Sequence, residues 1–154
     1  MRAQLNEEFV VKANAQFWEQ MLAMKMDTLP DEEEFCVDDG HMLACVALSG
    51  QWKGRIEVRM AGKLAYEATA AMLMQPVDAV GEADALDATK EIANMIAGVI
   101  KSSLPRPCAM AVPESVVEQK CFCGLPETED TLVVASRHTA GNMMVRVLEQ
   151  ECLQ

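Results

Sequence analysis

The segment from Ala83 to Leu104 constrains the fold of this chain more than any other part of the sequence. Its apolar residues recur at about 100° per residue, which is the spacing of an α-helix. Pro105 and Pro107 follow the segment, and proline cannot continue a helix. The apolar arc consists of Leu86, Ala88, Ile92, Ala93, Met95, Ile96, Ala97, Val99 and Ile100. The sequence therefore predicts a long helix with one buried side.

Other helical and strand patterns flank this helix. Apolar spacing predicts a first helix from Leu5 to Met26, and a stretch rich in alanine, leucine and methionine predicts another from Ala61 to Met74. A turn at Ser49–Gly54 predicts a hairpin of Met42–Leu48 and Arg55–Met60. Further strands are expected at Phe35–Val37, Pro107–Val112, Ser115–Cys123, Thr131–His138 and Asn142–Glu149. This order favours one α+β domain over residues 1–154, with helices on one face of a mainly antiparallel sheet.

The acidic composition limits the classes of partner. Aspartate and glutamate number 24 against 13 lysines and arginines, which gives a formal net charge of −11. Such a surface repels a phosphate backbone, so we expect no nucleic-acid partner. No apolar run reaches the about 20 residues of a membrane span, and the N-terminal stretch lacks the apolar core of a signal peptide. We therefore expect no membrane insertion and a cytoplasmic location. Between the last two predicted helices, Val77–Glu82 is predicted to be a linker.

The cysteines are spread through the apolar segments, at Cys36, Cys45, Cys108, Cys121, Cys123 and Cys152. Without an export signal, we expect them to be reduced thiols. Cys121 and Cys123 are the only close pair, and on a strand they would share a face. They could form half of a metal site with His41 or His138, or they could be two buried small hydrophobic residues.

The predicted first helix carries apolar residues on two sides. Its main face consists of Phe9, Val10, Ala13, Phe17, Met21 and Met24. Val11, Trp18 and Leu22 form a second apolar ridge. This ridge could be covered by a partner chain or by a loop of the same chain, and both interpretations stay open. Leu29 and Pro30 end the helical segment, and the acidic run from Asp31 to Glu34 predicts a solvated loop.

The side of the long helix opposite its apolar arc carries a narrow polar stripe, which consists of Asp87, Lys90, Glu91, Asn94, Gly98 and Lys101. Inside an exposed helix, asparagine costs a few tenths of a kcal/mol and glycine about 1 kcal/mol relative to alanine. Gly98 bares the backbone so that another surface can approach, and the Asn94 amide both donates and accepts hydrogen bonds. The stripe thus indicates a docking edge, although ordinary solvated residues would give a similar pattern.

The stripe and the residues after the helix resemble a family signature. The matching positions are Asp87-x-x-x-Glu91-x-x-Asn94, followed by Gly98, Pro113 and Ser115-Val116-Val117. This pattern looks like the signature of the CheC/CheX/FliY phosphatases of bacterial chemotaxis, and the order of predicted elements is similar over nearly the whole chain. The motif occurs once, so the resemblance is to CheX-like members rather than to CheC-like members, which carry two such helices.

The resemblance implies a CheC/CheX-like fold and a phosphatase that acts on the aspartyl phosphate of a CheY-like response regulator. The receiver supplies Mg²⁺ and most of the charge stabilisation, so the phosphatase need only position the attacking water. By resemblance, Asn94 positions this water and Glu91 pairs with a receiver lysine. The rest of the stripe would contact the partner through Asp87, Lys90, Gly98 and Lys101. No cofactor is expected on this chain.

One alternative from another functional class stays open. A non-catalytic interaction domain could bind receivers or flagellar components, but a pure docking surface would not need the amide of Asn94. Hydrolysis of a generic small substrate is less favoured, because the sequence lacks a Ser/His/Asp set, a Walker loop and a metal-binding cluster. Because CheX-like members are dimers through paired sheets, the resemblance also implies a homodimer, for which Asn142–Glu149 could offer a free strand edge.

Overall fold

The computed structural model describes residues 6–29, 35–124 and 131–150. Its helices are α1 (Glu7–Leu22), α2 (Gly62–Leu73) and α3 (Glu82–Lys101). Its strands are β1 (Asp27–Thr28), β2 (Cys36–Val37), β3 (Met42–Gly50), β4 (Gly54–Met60), β5 (Cys108–Met110), β6 (Glu114–Val117), β7 (Phe122–Cys123), β8 (Thr131–His138) and β9 (Gly141–Glu149). No helix in these ranges is long and apolar enough to cross a membrane.

Antiparallel pairing joins the strands into one large sheet and one small one. The seven-stranded sheet has the order β1-β8-β9-β4-β3-β5, and β6 also pairs with β3. β2 and β7 form a separate two-stranded sheet, which we call the ribbon. The predicted strand Ser115–Cys123 is therefore divided between β6 and β7. The division occurs at Glu118, whose N–H donates to the carbonyl of His41 and whose carbonyl accepts from Gly40. The predicted α+β fold is confirmed.

The main core lies between the helices and one face of the large sheet. Alternating residues of β3, among them Met42, Val46 and Leu48, point into this core. Ile92 and Ile96 of α3 meet them, and both are fully buried. Burial of alternate strand residues on one face is the pattern that the hydrophobic periodicity predicts.

Two apolar residues were wrongly predicted to belong to buried helix faces. Val99 of α3 is 45% exposed and Met21 of α1 is 60% exposed. In α3, the polar residue Thr89 is buried instead, because its hydroxyl donates to the carbonyl of Ala85 at 2.7 Å. A hydroxyl that is satisfied within its own helix can be buried at little cost.

α1 is shorter than predicted, and it packs within its own chain. It begins after Asn6, whose side chain accepts from the N–H of Phe9, and it ends before Ala23, which has a left-handed φ of 53°. The indole of Trp18 is fully buried and donates to Asn14 Oδ1 at 3.1 Å. Asn14 in turn reaches Ser136 Oγ of β8 at 3.4 Å. The second ridge of α1 is therefore covered by the chain itself.

The predicted free edge at Asn142–Glu149 is wrong. β9 pairs through residues 143–149 with β4 on one side and through residues 141–148 with β8 on the other, so it lies inside the sheet. The acidic loop predicted for Asp31–Glu34 lies outside the described residues, as do Leu5 and Pro30. Between α2 and α3, the predicted linker contains a short 3₁₀ turn at Val77–Ala79.

A second, smaller hydrophobic cluster covers part of the opposite face of the sheet. Its buried members are Leu29, Phe35, Val37, Ala135 and Met144. The ribbon closes over this cluster, with the Phe122 ring packed edge-on against Phe35 at 6.2 Å. The Arg59 guanidinium lies 4.0 Å from the centroid of the same Phe122 ring. The sheet is thus covered by helices on one face and by the ribbon on part of the other.

Two cysteines differ from the prediction of reduced thiols, whereas Cys45, Cys108 and Cys121 are free as predicted. Cys36 and Cys123 form a disulfide between β2 and β7, where the two residues are register partners. Both of them are exposed, and so is Cys121, so the interpretation of Cys121 and Cys123 as buried small hydrophobic residues is wrong. Among residues 6–29, 35–124 and 131–150, no group of three or more His, Cys, Asp or Glu side chains could hold a metal ion.

Candidate functional site

The candidate site is the outer surface of α3. The helix begins after Gly81, whose N–H donates to Asp84 Oδ2 at 3.1 Å. Its inner side packs on β3, β4 and β6 and is flanked by α1 and α2. The buried residues are Ala85, Ala88, Thr89, Ile92, Ala93, Ile96, Ala97 and Ile100. This packing holds the backbone of α3 rigidly, so the side chains of its outer surface project from a fixed support.

The structure places the predicted polar stripe together on this outer surface. Asp87 and Glu91 are exposed, whereas Lys90, Asn94, Gly98 and Lys101 are half-buried. Residues three or four positions apart on a helix are neighbours, so the stripe runs as one continuous line along α3. Lys90 Nζ lies 3.3 Å from Asp87 Oδ1, and these two charges offset each other.

Glu91 and Asn94 are members of the stripe whose polar groups stay available, and the ammonium of Lys101 is another. Neither Glu91 nor Asn94 has a side-chain hydrogen bond or ion pair with any other part of the described chain. The Glu91 carboxylate is therefore free to pair with a cation of another molecule, and the Asn94 amide can both donate and accept. A carboxylate and an amide one helical turn apart, with no role inside their own fold, are typical of a surface that acts on a partner.

Gly98 continues the stripe toward the C-terminal end of α3. A Cβ built at Gly98 would meet no heavy atom within 4 Å beyond the backbone of its own helix turn, so packing does not require glycine there. Beside it opens a recess of about 490 Å³, lined by Gly98, Lys101, Ser102, Arg106, Pro107 and Cys108. The sequence pattern did not single out Arg106, because it lies after the helix among the prolines that end it. The recess extends the stripe by one basic side chain, that of Arg106.

The N-terminal half of α3 is fixed to β6 by a side-chain hydrogen bond. The hydroxyl of Ser115 donates to the carbonyl oxygen of Leu86 at 2.9 Å. Because Leu86 directly precedes Asp87 on α3, this bond sets the position of the helix where the stripe begins. Sequence periodicity contains no signal for such a contact between a strand hydroxyl and a helix carbonyl.

The two histidines lie outside the stripe and have structural partners. His41 is buried, its Nδ1 lies 2.8 Å from the carbonyl of Asp38, and its Nε2 lies 2.7 Å from Arg59 Nη1. A guanidinium only donates, so Nε2 accepts and Nδ1 carries the proton. His138 Nδ1 accepts from the N–H of Ala140 at 3.0 Å. Neither histidine lies with Cys121 and Cys123 in a metal-binding group of the described residues.

Comparison with solved structures identifies the fold. The chain is similar to the chemotaxis protein CheX from Vibrio vulnificus, with a TM-score of 0.73 and 17% identity over 97% of this chain and 100% of that one. A CheC-like superfamily protein from Shewanella sp. PV-4 has a TM-score of 0.74 and 16% identity, over 98% of this chain and 100% of that one. A chain of the CheX–CheY–BeF3–Mg²⁺ complex from Borrelia burgdorferi has a TM-score of 0.65 and 15% identity, over 94% of this chain and 97% of that one. The predicted CheC/CheX-like fold is confirmed.

Sequence comparison extends the likeness from fold to family. No curated protein sequence matches the chain. A family model described as "Chemotaxis phosphatase CheX" matches residues 42–135, which is more than half of the 154 residues. The matched region runs from β3 into β8 and includes α3 with its whole polar stripe, as well as Ser115 of β6. The chain therefore belongs to the chemotaxis phosphatase CheX family.

Proposed function

We propose that this chain hydrolyses the aspartyl phosphate of a CheY-like response regulator, with Asn94 positioning the attacking water and Glu91 pairing with a lysine of the receiver. One observation carries the assignment of the residues. Glu91 and Asn94 lie one turn apart on the outer surface of a rigid helix, and they have no partner within the described chain. Membership of a family of phosphatases supports the reaction itself.

The chemistry of the reaction fits an amide rather than a general base. Phosphoryl transfer passes through a loose transition state that requires little deprotonation of the nucleophile, so orientation of the water is the main task. The oxygen of the Asn94 amide can accept a hydrogen bond from the water and hold it in line with the breaking bond. Such positioning converts an encounter between free water and phosphate into a reaction between oriented groups.

Glu91 would fix the position of the receiver relative to α3. Its carboxylate is exposed and unpaired within the described residues, whereas the neighbouring Asp87 is already offset by Lys90. A charge-assisted hydrogen bond from a receiver lysine would fix the distance between α3 and the phosphorylated aspartate. Lys90, Gly98 and Lys101 would contact the receiver on either side, and we propose a weaker contact for Asp87.

The partner would supply the metal ion. In the Borrelia burgdorferi complex, a related chain is bound to CheY together with BeF3 and Mg²⁺. By analogy, Mg²⁺ would enter the reaction on the receiver, where it neutralises charge on the phosphoryl group. We further propose that the reaction takes place in the cytoplasm, where phosphorylated receivers occur.

A phosphate-release assay tests the proposal. A panel of phosphorylated receivers from the same organism is mixed with the chain, and release is compared with the receiver alone. We expect the chain to accelerate release for at least one receiver, and Asn94→Ala to lower this acceleration by about 100-fold. Gln20→Ala is the matched control, because it removes an exposed amide from α1. Binding of a phosphorylated receiver without faster release would instead indicate a non-catalytic interaction domain.

A further inference from the structure

Three exposed cysteines lie on the ribbon or directly beside it in sequence. Cys36 and Cys123 are exposed register partners that form a disulfide across 87 positions of sequence. Cys121 is free and exposed, two residues before Cys123. The Phe122 side chain between them packs against Phe35 and Arg59. Because side chains alternate along extended backbone, Cys121 and Cys123 lie on the outer side of the ribbon.

The other described cysteines are protected from thiol chemistry. Cys45 is half-buried, and burial, together with the Glu57 carboxylate, raises the pKa of its thiol. Cys108 is buried and its thiol donates to the carbonyl of Trp52 at 3.7 Å. Because the thiolate is the reactive form and must be reached by its partner, these two cysteines should react slowly. They serve as internal references for the accessible group.

The ribbon depends strongly on its disulfide. It contains only the register pairs Cys36–Cys123 and Val37–Phe122, and a two-stranded sheet of this kind is marginally stable by itself. Its other attachments are few. Gly124 N–H donates to the carbonyl of Phe35 at 2.8 Å, and Asn142 Nδ2 donates to the carbonyl of Cys36 at 3.2 Å. Cleavage of the S–S bond would leave these contacts, the burial of Val37 in the second hydrophobic cluster and the packing of Phe122 to hold the ribbon on the sheet.

We propose that the Cys36–Cys123 disulfide is a thiol–disulfide exchange site that a dithiol reductant opens, and that its opening loosens the ribbon over the second hydrophobic cluster. The exposure of both cysteines carries this inference, because an incoming thiolate must reach a sulfur atom of the bond. The setting rests on the cytoplasmic location proposed above, since disulfides in that compartment are usually transient, catalytic or redox-sensing.

The exchange proceeds in two balanced steps. A thiolate of the dithiol attacks Sγ of Cys36 or Cys123, a mixed disulfide forms, and the other cysteine leaves as a thiolate. The second thiolate of the reductant then attacks the reductant's first sulfur atom, which is bonded to the protein in the mixed disulfide. The remaining cysteine leaves as a thiolate. The dithiol is oxidised to a disulfide, and Cys36 and Cys123 are both reduced.

Thiol labelling of the whole chain tests the proposal. The protein is incubated with increasing dithiothreitol, pulsed with iodoacetamide, and read residue by residue from fragment ions. Without reductant, we expect rapid labelling of Cys121 but not of Cys36 or Cys123. After mild reduction, the labelling of Cys36 and Cys123 should rise by at least about tenfold, whereas that of Cys45 and Cys108 should change by less than about twofold.

Hydrogen exchange gives a second readout that needs no labelling. Reduction should speed the exchange of amides in Phe35–Val37 and Phe122–Gly124 and should leave the central turns of α3 unchanged. Cys36→Ser should show the same fast exchange without reductant. Cys121→Ser is the matched control, because it removes an exposed sulfur beside the ribbon and leaves the disulfide in place.

Two labelling results would overturn the proposal. The bond would be a sealed structural link if Cys36 and Cys123 reacted only at reductant concentrations that also exposed Cys45 and Cys108. The site would not exist if both cysteines were free in the purified chain and stayed unlinked in a buffer of reduced and oxidised glutathione. Neither readout depends on phosphate release, so failure here and failure of the phosphatase assay are distinguishable.

Discussion

The hydroxyl of Ser115 on β6 donates a hydrogen bond to the carbonyl oxygen of Leu86 on α3, 2.9 Å away. This bond lies outside the polar stripe, yet it joins the helix to the sheet directly before Asp87. We therefore predict that Ser115 is a positioning residue, which would act through α3 rather than through contact with the receiver.

We expect Ser115→Ala to lower the rate of phosphate release severalfold and the free energy of unfolding by about 1 kcal/mol, since one half-buried hydrogen bond is lost. Ser103→Ala is the matched control, because the Ser103 hydroxyl bonds locally to the carbonyl of Ile100. Single-turnover release and urea denaturation would be measured for both variants. A Ser115→Ala variant with the wild-type rate would show that this contact does not position the helix.

Glu91 and Asn94 should affect different kinetic constants. Glu91→Lys places a cation opposite the expected receiver lysine, so we expect KM for the phosphorylated receiver to rise by about tenfold or more. Asn94→Ala should instead lower kcat and leave KM nearly unchanged, because the amide contacts water rather than the receiver. Steady-state phosphate release at several receiver concentrations separates the two constants. Equal receiver binding by both variants in a titration would contradict the assigned roles.

Gly98 provides a test in which stability and docking change in opposite directions. Gly98→Ala should raise the free energy of unfolding by about 0.5–1 kcal/mol, because alanine favours the helix and a Cβ at this position meets no heavy atom within 4 Å beyond the backbone of its own helix turn. Gly98→Leu should fold equally well but raise KM for the receiver by about tenfold, because its side chain would block the approach of the partner. An unchanged KM for Gly98→Leu would place the receiver elsewhere on the surface.

Arg59 should stabilise the attachment of the ribbon to the sheet. Burial lowers the pKa of its guanidinium, whereas the Glu118 carboxylate, whose Oε1 lies 3.7 Å from Arg59 Nη1, acts in the opposite direction. Arg59→Met would remove the contact with the Phe122 ring and the donor to His41, so we expect a loss of about 2–3 kcal/mol in unfolding free energy.

The control for this change is Arg55→Met. Arg55 lies 3.0 Å from Glu57, but its side chain is 54% exposed. A half-exposed ion pair contributes about 0–1 kcal/mol, so the control should unfold at nearly the wild-type urea concentration. Similar small losses in both variants would mean that the ribbon does not depend on Arg59.

The homodimer remains a prediction from the family resemblance. The structure removes two of its supports, because Trp18 is buried within its own chain and β9 lies inside the sheet. Light scattering at micromolar concentration decides the question. A mass near twice the 16.9 kDa of one chain is expected, and a mass near 16.9 kDa would exclude the dimer under those conditions.

The sequence predicted the parts of the fold that depend on local periodicity. The bounds of β8 are as predicted, and α3 begins and ends within three residues of its predicted limits. The polar stripe could be predicted from the same periodicity, because a helix with one buried side exposes its opposite side to solvent. The end of α1 was missed because Ala23, an ordinary helix former, takes a left-handed conformation there.

Features that depend on distant contacts were not accessible from the sequence pattern. The pairing of Cys36 with Cys123 joins strands 87 positions apart, and no local signal relates β2 to β7. The burial of Trp18 depends on Asn14 and on Ser136 of β8. Val99 has the periodicity of the buried arc, but it lies at the border of the face that the sheet covers. In each case, the pairing or the burial is determined by residues of another helix or strand.

Glu91 and Asn94 have no partners within the described part of the chain, and this bears on how proteins of this architecture can diversify. Residues that stabilise the helix and residues proposed for catalysis occupy opposite sides of α3, so a substitution on one side changes little on the other. A single exchange at Asn94 would be enough to convert a phosphatase into a binding module of nearly equal stability. Conversely, the same scaffold could regain activity without any repacking of its interior.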